Sequence, residues 1–364
     1  MEEHGKQAPE IDVLLVGLGS TPGLRIADAE LARSLRRAGA RVAVVETPHP
    51  GDVRTLALTD LLWARAARHA AREALGRLTQ PQLPSLIYST TTAALLWPLP
   101  GAIRFDAPSA ANRSGRHGLW QRPLERRRLR QAPLLLPWSE GGLAEACAAV
   151  PDCAARALVL PAPIEIAAPG GASPAQGVEH TADGHAAGRS ERDIAAITYA
   201  GNPRKKGLDR VLAAWRRARR PGERLVVVGI SRAGLAAAGF ELSDADIHVT
   251  GSIAHAELRA LMRRARVFLC APRREDYGLI QLEALAEGCL LVTTPAPGPY
   301  AALAIAHALD PRLVSDELAA ALRVALDAPA PGYVERAAEL VEPFGRASTD
   351  RLVTEQLLPR LLSR

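Results

Sequence analysis

Two glutamates eight positions apart, Glu275 and Glu283, combine a residue type and a spacing that could do chemistry. They lie in residues 266–288, where an apolar run ends at Pro272 and a short polar loop leads into a stretch with apolar residues at helical spacing. We expect a strand, a loop and a helix here, with Asp276 as the N-cap of the helix. The first amides of this helix would be those of Gly278, Leu279 and Ile280. They would project from the positive end of the helix dipole, where phosphate groups bind.

A second group of charged residues follows the first predicted strand of the second half. In AGNPRKKGLDRVLAAW, residues 200–215, a turn brings Arg204, Lys205 and Lys206 to the start of an amphipathic helix. Cations oppose the dipole at a helix N-terminus and cost up to about 1 kcal/mol unless an anion lies nearby. Lysine is rare in this chain, so the adjacent pair is informative and predicts a diphosphate-binding loop. A solvated basic turn is the alternative interpretation.

Near-continuous apolar runs separated by amphipathic stretches predict the elements that position these residues. The predicted strands of the first half are Ile11–Val16, Val42–Val45, Leu86–Ser89, Ala102–Phe105 and Pro133–Pro137. Those of the second half are Ile194–Tyr199, Leu225–Val228, Ile247–Thr250, Val267–Cys270 and Leu290–Thr293. Such alternation is typical of parallel sheets covered by helices on both faces. The predicted fold class is therefore α/β, with two Rossmann-like domains.

The length of 364 residues fits two domains of roughly 150 to 200 residues each. We place the first domain at residues 1–166 and the second at residues 194–345. Residues 167–193 are rich in Gly, Ala and Pro and poor in bulky apolar side chains, so we expect a flexible loop at the junction. The pattern of residues 346–364 predicts a final helix.

The composition favours a soluble globular protein, with 48% hydrophobic and 23% charged residues. No apolar run approaches the ~20 residues that a membrane span needs, and the first ten residues are too polar for a signal peptide. The four cysteines show no C-x-x-C spacing. We therefore expect a reduced, cytoplasmic location.

The first predicted strand is followed by a glycine-rich loop. Gly17, Gly19 and Gly23 allow a tight turn and a close approach of a ligand to the backbone. Because Glu46 ends the second strand, where a dehydrogenase places a ribose-binding acid, a nicotinamide cofactor is one interpretation, although the glycine spacing misses the dinucleotide motif by one residue. A generic Rossmann-like turn that lines a cleft is the other. Asp106 directly follows the fourth strand, at the edge where α/β sheets bind ligands, and turn capping is its alternative role.

The segment from Arg113 to Arg130 contains seven arginines. A solvated helix face is the usual explanation of such a run. The alternative is a surface for anionic partners such as membrane headgroups, a lipid-phosphate acceptor or nucleic acid.

The segment EDYGLIQLEALAEG, residues 275–288, resembles the E-x7-E segment of retaining, nucleotide-sugar-dependent glycosyltransferases with the GT-B fold. These are the family 4-like enzymes also called glycosyl transferases group 1. The resemblance implies two Rossmann-like domains that face each other across a cleft, with a C-terminal helix that packs back on the first domain. It also implies that Glu275 holds hydroxyl groups of the donor sugar, that Glu283 holds the nucleotide ribose, and that the amides of residues 278–280 face the sugar and the diphosphate.

Two further segments fit this family and occur in its order. Lys206 and Gly207 match the lysine-glycine pair that holds the donor diphosphate in the family. The partner arginine of the family is replaced by Asn202, and we assign Arg204 as its substitute. The residues that the resemblance implies for backbone contacts with the nucleotide base are Gly251, Ser252 and Ile253.

The function implied by the resemblance is transfer of a hexosyl-type sugar from a nucleotide-diphosphate donor, with a UDP-sugar favoured, to an acceptor hydroxyl with retained anomeric configuration. The candidate catalytic residues are Lys206, Glu275 and Asp106. The resemblance implies that Gly17 and Gly19 contact the acceptor or a phosphate. No metal or other cofactor is expected, and the D-x-D sequence at residues 244–246 precedes its strand, which favours a turn over a manganese site.

The acceptor and the competing functions stay open at this stage. An acceptor that is lipid-linked or anionic would bind through Arg113 to Arg130 and would place the enzyme at the inner face of the membrane, whereas no nucleic-acid partner is expected. One alternative function is an NAD(P)-dependent oxidoreductase that uses the loop from Gly17 to Gly23 with Glu46. Another is a non-catalytic nucleotide-sugar-binding protein, which the replacement by Asn202 would suit.

Overall fold

The computed structural model describes residues 10–51, 53, 55–113, 115–166 and 192–363. Residues Met1–Pro163 and Arg346–Arg364 form one compact unit, and Ile164–Gly345 form the second. The flexible loop predicted at residues 167–193 lies outside the described residues, except for its last two positions.

The strands confirm the predicted positions to within two residues at each end. They are β1 (Val13–Gly17), β2 (Val42–Glu46), β3 (Ser85–Tyr88), β4 (Ala102–Phe105), β5 (Leu135–Pro137), β6 (Ile194–Tyr199), β7 (Leu225–Val228), β8 (Ile247–Gly251), β9 (Ala265–Leu269) and β10 (Leu290–Val292). Each unit holds one five-stranded sheet, with the order β2-β1-β3-β4-β5 in the first and β10-β9-β6-β7-β8 in the second. All pairings are parallel. The α/β class with two Rossmann-like domains is therefore confirmed.

Helices connect the strands. They are α1 (Pro22–Arg37), α2 (Leu56–Gly76), α3 (Thr91–Ala94), α4 (Gln121–Gln131), α5 (Glu140–Ala149), α6 (Leu208–Ala218), α7 (Arg232–Ala237), α8 (His255–Arg264), α9 (Leu279–Ala286), α10 (Ala301–Leu309), α11 (Leu318–Asp327), α12 (Tyr333–Val341), α13 (Arg346–Leu352) and α14 (Leu358–Leu362). Within the described residues, no helix combines the length and the apolar character needed to cross a bilayer.

The first unit has apolar clusters on both faces of its sheet, as expected for a parallel sheet. One cluster contains Trp63, Phe105 and Leu129, and the other contains Leu31 and Leu35 of α1. The second cluster also includes side chains from the end of the chain, namely Val353, Leu357 and Leu361. The C-terminal segment therefore completes the core of the first unit. Its polar contacts include a hydrogen bond from Ser34 Oγ to Asp350 Oδ1 and an ion pair between Arg37 and Asp350.

Three local features differ from the sequence prediction. Gly23 lies inside α1, because Thr21 caps this helix and accepts a hydrogen bond from the Leu24 amide, so Gly23 takes no part in the turn. Cys147 and Cys153 form a disulfide, a pairing that their spacing did not indicate. The N-cap of α9 is Gly278 and not Asp276, because the carboxylate of Asp276 pairs with Lys205 and Arg274.

Candidate functional site

The loop after β6 packs tightly against the end of β9. Gly207 has a positive φ of +65°, and a Cβ atom at this position would lie 1.8 Å from the carbonyl oxygen of Ala271. The amide of Arg273 also donates to the carbonyl of Lys205, at 3.0 Å. Only glycine permits this approach, and it brings the lysine pair beside the loop that carries Glu275.

Lys206 and Glu275 are in direct contact. Lys206 Nζ lies 2.6 Å from Glu275 Oε2, and the side chains are 20% and 9% exposed. The same oxygen accepts a hydrogen bond from Gln281 Nε2 at 3.2 Å. The structure thus brings together two residues that are 69 positions apart, and both were candidates from the sequence.

Buried polar groups support the Glu275 loop from below. The Glu275 amide donates to the carbonyl of Pro297 at 3.1 Å. Gln281 approaches Cys270 Sγ, which in turn contacts Thr293 Oγ1 and the Tyr300 hydroxyl at 3.3 and 3.7 Å. Burial raises the pKa of the Cys270 thiol and that of the Tyr300 phenol, so both stay neutral. The neutral groups of this network therefore fix the Glu275 loop without placing a second charge next to the carboxylate.

Asp276 takes part in ion pairs instead of capping α9. Its carboxylate accepts from Lys205 Nζ at 3.1 Å and from Arg274 Nε at 2.8 Å. The helix begins two residues later, after Gly278, whose positive φ of +88° and close packing against the ring of Tyr300 exclude other residues. The first hydrogen bonds of the helix run from the amides of residues 281 and 282 to Gly278, so the amides of Leu279 and Ile280 precede them. Among the described residues no backbone acceptor pairs with these two amides, which suits them to an anion.

Glu283 faces the start of α8. Its Oε1 lies 2.8 Å from His255 Nε2, and Glu283 is buried whereas the side chain of His255 is 41% exposed. The hydrogen bond with Glu283 is the main cause of a raised pKa at His255, which burial opposes. The preceding loop contains Gly251, with a φ of +80° and open space around the position of a Cβ atom, followed by the exposed Ser252 and the half-buried Ile253.

Arg204, the assigned substitute for the family arginine, is not brought to Lys206. Its guanidinium is exposed and donates to the carbonyl of Ala238 at 3.3 Å. Asn202 has a local role in the same loop, because its Oδ1 and its carbonyl oxygen accept hydrogen bonds from the amides of Lys205 and Lys206, at 3.0 and 2.9 Å. The residue that replaces the family arginine therefore holds the lysine loop in shape.

The candidate residues of the first unit lie at the carboxyl ends of its strands. Gly17 ends β1 and pairs in register with the exposed Glu46, and Gly19 has a φ of +63°. Asp106 is half-buried directly after β4, and its Oδ1 accepts a hydrogen bond from the amide of Ala107 at 2.8 Å. This contact is the turn-capping role that was the alternative for Asp106. The residue itself lies at the ligand-binding edge of the sheet.

A buried ion pair lies below the glycine loop of the first unit. Asp28 of α1 and Arg104 of β4 are 3.4 Å apart and almost fully buried, and Arg104 stacks over the ring of Trp138 at 4.6 Å. Burial raises the pKa of Asp28 to about 6, and the charge of Arg104 opposes this shift. Neither residue stood out in the sequence.

The arginines between Arg113 and Arg130 whose side chains the structure describes divide into two groups. Some are fixed on the protein, as Arg113 is by Asp60 and as Arg128 is by the carbonyl of Leu95. The exposed face of α4 carries Arg126, Arg127 and Arg130. The described residues provide no ion-pair partner for these three.

The D-x-D sequence is accounted for by helix α6. Asp244 pairs with Arg216 at 2.7 Å, and Asp246 accepts a hydrogen bond from Trp215 Nε1 at 2.7 Å. Both carboxylates therefore fix a turn against α6, as expected. In the part of the chain that the structure describes, no cluster of three or more His, Cys, Asp or Glu side chains could hold a metal ion.

Sequence reasoning missed Gln281 and His255. Gln281 is a polar residue on the buried face of a short apolar helix, which is a signal that could have been noticed. His255 had no comparable signal, because its partner Glu283 is 28 positions away.

Comparisons with known proteins agree with this architecture. Residues 194–328 match the family model of glycosyl transferases group 1. A search of curated proteins gave no match. The resemblance inferred from the motifs is confirmed by the family match and by solved glycosyltransferases with the same GT-B fold.

Three solved structures illustrate that similarity. Sucrose-phosphate synthase from Thermosynechococcus elongatus is 16% identical with a TM-score of 0.65, covering 97% of this chain and 100% of its own. WaaG, a glycosyltransferase involved in lipopolysaccharide biosynthesis, is 16% identical with a TM-score of 0.61 over 94% and 99%. HepE from Anabaena, in complex with UDP and glucose, is 13% identical with a TM-score of 0.59 over 96% and 99%. At these identities the feature in common is the fold.

Proposed function

We propose that this chain, whose residues 194–328 match glycosyl transferases group 1, transfers a sugar from a nucleotide-diphosphate donor to an acceptor hydroxyl. A UDP-sugar is the favoured donor, because HepE, which has the same fold, binds UDP and glucose. A hexosyl group and retention of the anomeric configuration complete the proposal. No metal or other cofactor has a role in it.

The observation that carries this proposal is the contact between Lys206 and Glu275. A cation and a carboxylate meet beside the N-terminus of α9, so one place offers a partner for a diphosphate and a partner for sugar hydroxyls. Glu275 Oε2 is already shared by Lys206 and Gln281, which leaves Oε1 for a sugar hydroxyl. The amides of Leu279 and Ile280 begin the helix that follows Glu275 in the chain, so the same segment also supplies donors for an anion.

The chemistry follows from where charge develops. When the bond between the sugar and the diphosphate breaks, negative charge grows on the leaving phosphate. Lys206 and the amides at the start of α9 stabilise that charge more in the transition state than in the ground state, which accelerates the reaction. The leaving phosphate accepts the proton of the acceptor hydroxyl on the same face, so no separate general base is needed. Glu275 orients the sugar meanwhile.

The other residues have supporting roles in the proposal. Glu283 binds the ribose, and the backbone of residues 251–253 meets the base. Arg204 reaches the diphosphate only after leaving the carbonyl of Ala238, so its contribution is smaller than that of Lys206. In the first unit, the loop at Gly17 and Gly19 and the carboxylate of Asp106 contribute to acceptor binding.

A thermal-shift screen against UDP, GDP, ADP and dTDP, followed by their sugars, tests the donor class. We expect stabilisation by one diphosphate and its sugar, and turnover or slow hydrolysis of that donor. Stabilisation by NADH in preference to every nucleoside diphosphate would favour the oxidoreductase alternative at Gly17 and Glu46. Binding of a donor without any turnover would favour a non-catalytic protein.

We propose further that the acceptor or its membrane is anionic. Arg126, Arg127 and Arg130 lie on the exposed face of α4, and Arg68 of α2 extends the positive charge of this surface. Arg68 and Arg128 donate to the adjacent carbonyls of Leu96 and Leu95. Burial is the main cause of a lowered pKa at Arg128, and the charges of Arg127 and Arg68 lower this pKa further, so the three cations lie near one another.

Vesicle sedimentation tests this surface. We expect binding to vesicles that contain phosphatidylglycerol, lost when Arg126, Arg127 and Arg130 are all changed to Gln. The matched control removes the same charge elsewhere by changing the exposed Arg210, Arg217 and Arg351 to Gln. If both triple variants lost vesicle binding equally, the binding would depend on the net charge of the protein and not on this surface. Binding to DNA or RNA in preference to vesicles would support a nucleic-acid partner instead.

A further inference from the structure

His255 is a titratable residue beside Glu283 in the candidate site, and the proposed function gives it no role. It is the first residue of α8, directly after the loop of residues 251–253, and its Nε2 lies 2.8 Å from Glu283 Oε1. Glu283 is 6% exposed, and a carboxylate that is so nearly buried needs a hydrogen-bond donor.

The neighbouring cation on α8 does not serve as that donor. Arg259, one turn after His255, bonds Glu287 and Glu165. Within the described residues, Glu283 Oε1 accepts from His255, and its other oxygen, Oε2, accepts no hydrogen bond. One oxygen of the carboxylate is therefore fixed by the protein, and the other is left for a ligand hydroxyl.

We propose that His255 is a positioning residue for the nucleotide ribose. Its Nε2–H holds Glu283 Oε1, which sets the direction of Oε2 toward the ribose hydroxyls. The inference rests on the proposed function, because it assumes that a nucleotide binds at Glu283. It adds that the loop for the base and the carboxylate for the ribose are joined through one side chain, so that base and ribose recognition are coupled.

The protonation of His255 follows from its surroundings. The charged groups that act on it are Glu283 from α9, Arg259 from α8 and Glu165 from the segment before β6. The hydrogen bond with Glu283 raises the pKa of His255, and burial and Arg259 oppose this effect. The ring is thus a charged donor at low pH. Above its raised pKa it donates only as the neutral Nε2–H tautomer, so the grip on Glu283 weakens as pH increases.

Calorimetric titration with UDP and with 2′,3′-dideoxy-UDP tests the inference, because only UDP has the ribose hydroxyls. We expect His255→Phe to lower the affinity for UDP by about two- to tenfold, which corresponds to one hydrogen bond. The affinity for dideoxy-UDP should stay the same. His255→Gln keeps an N–H donor at a similar reach and should restore most of the preference for UDP. In the wild type that preference should decrease as pH rises from 6 to 8, whereas in His255→Gln it should stay constant.

The controls separate this inference from the proposed function. His248 is an exposed histidine on β8, and His248→Phe should change the affinity for neither ligand. Lys206→Ala should lower the affinity for both ligands equally. Failure of both ligands to bind the wild type would overturn the proposed function. If both bind and Lys206→Ala weakens both, but His255→Phe affects them equally or not at all, then the proposed function stands and the role of His255 is wrong.

Discussion

Replacing Glu275 by Gln should strengthen the binding of UDP, whereas replacing Lys206 by Ala should weaken it. In the structure the ammonium of Lys206 is already occupied by Glu275, at 2.6 Å, with both side chains largely buried. A diphosphate must compete with Glu275 for this cation. Glu275→Gln removes the competing charge and keeps the shape of the side chain, and its amide oxygen still accepts from Gln281.

The magnitudes follow from the type of bond. A hydrogen bond to a charged group contributes about 1.5–3 kcal/mol, so Lys206→Ala should weaken UDP by roughly 10- to 150-fold. Glu275→Gln removes only the net stabilisation of the Lys206–Glu275 ion pair, which is the attraction between the charges minus the cost of burying them. We expect a gain of about 0.5–1.5 kcal/mol, or roughly two- to tenfold tighter UDP. Transfer of sugar by this variant should nevertheless be lost, because the sugar loses its carboxylate.

Calorimetric titration of UDP into the variants measures both effects, and Lys205→Ala is the matched control. Lys205 pairs with Asp276 in the same way, but its side chain is 47% exposed, and pairs of this kind are worth about 0–1 kcal/mol. This variant should change UDP affinity by less than about threefold. If Glu275→Gln weakened UDP as much as Lys206→Ala does, the two residues would not compete, and the reasoning would be refuted.

Three further predictions concern Arg204, Gly207 and Asp28. Arg204→Ala should weaken UDP by no more than about threefold in the same titration, because this side chain is exposed and bonded to Ala238, and a loss as large as that of Lys206→Ala would contradict this. Gly207→Ala should lower the midpoint of thermal unfolding by roughly 5–15 °C, because the new Cβ clashes with Ala271 and the backbone is strained at a positive φ. In the control, Gly222→Ala, the φ is +84° but there is open space around the Cβ position, so only the backbone strain of about 1 kcal/mol should appear. Asp28, with its pKa raised to about 6, binds its proton more tightly in the folded protein, so its contribution to the unfolding free energy is present below pH 4 and is lost as pH rises through 6. Urea unfolding should show wild type losing up to about 3 kcal/mol relative to Asp28→Asn over that range, and parallel pH profiles would count against the assignment.

The sheets could be predicted from the sequence because the apolar runs that form them are local. A strand such as β6 lies between helices on both faces of a parallel sheet, so its residues are apolar without alternation, and a short window shows this. The two glutamates and the lysine pair were predictable for a similar reason, since Glu275 and the lysine pair lie in loops between a strand and the next helix, and Glu283 lies within such a helix. Their order along the chain, which matches the order in the family, was the further signal.

The partners of those residues depend on contacts between distant segments, which local patterns do not show. Asp276 has the right type and place for a helix cap, but Lys205 and Arg274 offer charged partners, and Gly278 begins the helix two residues later. Arg204 was assigned as the substitute for the family arginine, yet in the structure it donates to the carbonyl of Ala238. The disulfide between Cys147 and Cys153 likewise depends on the turn after α5.

The ion pair between Lys206 and Glu275 also has a consequence for donor selection. The ammonium of Lys206 has three N–H groups, so UDP alone shares it with Glu275, and the contact of the nearly buried carboxylate with its strongest partner weakens. Weakening the pairing of a buried carboxylate is costly, whereas the hydroxyl groups of a UDP-sugar supply new donors to it. We therefore expect the wild type to bind the UDP-sugar more tightly than UDP, and we expect Glu275→Gln to remove most of this preference, since a neutral amide tolerates a weaker contact with Lys206. Competition titrations of the two ligands measure the ratio directly, and a ratio that is the same in both proteins would mean that Glu275 does not recognise the sugar.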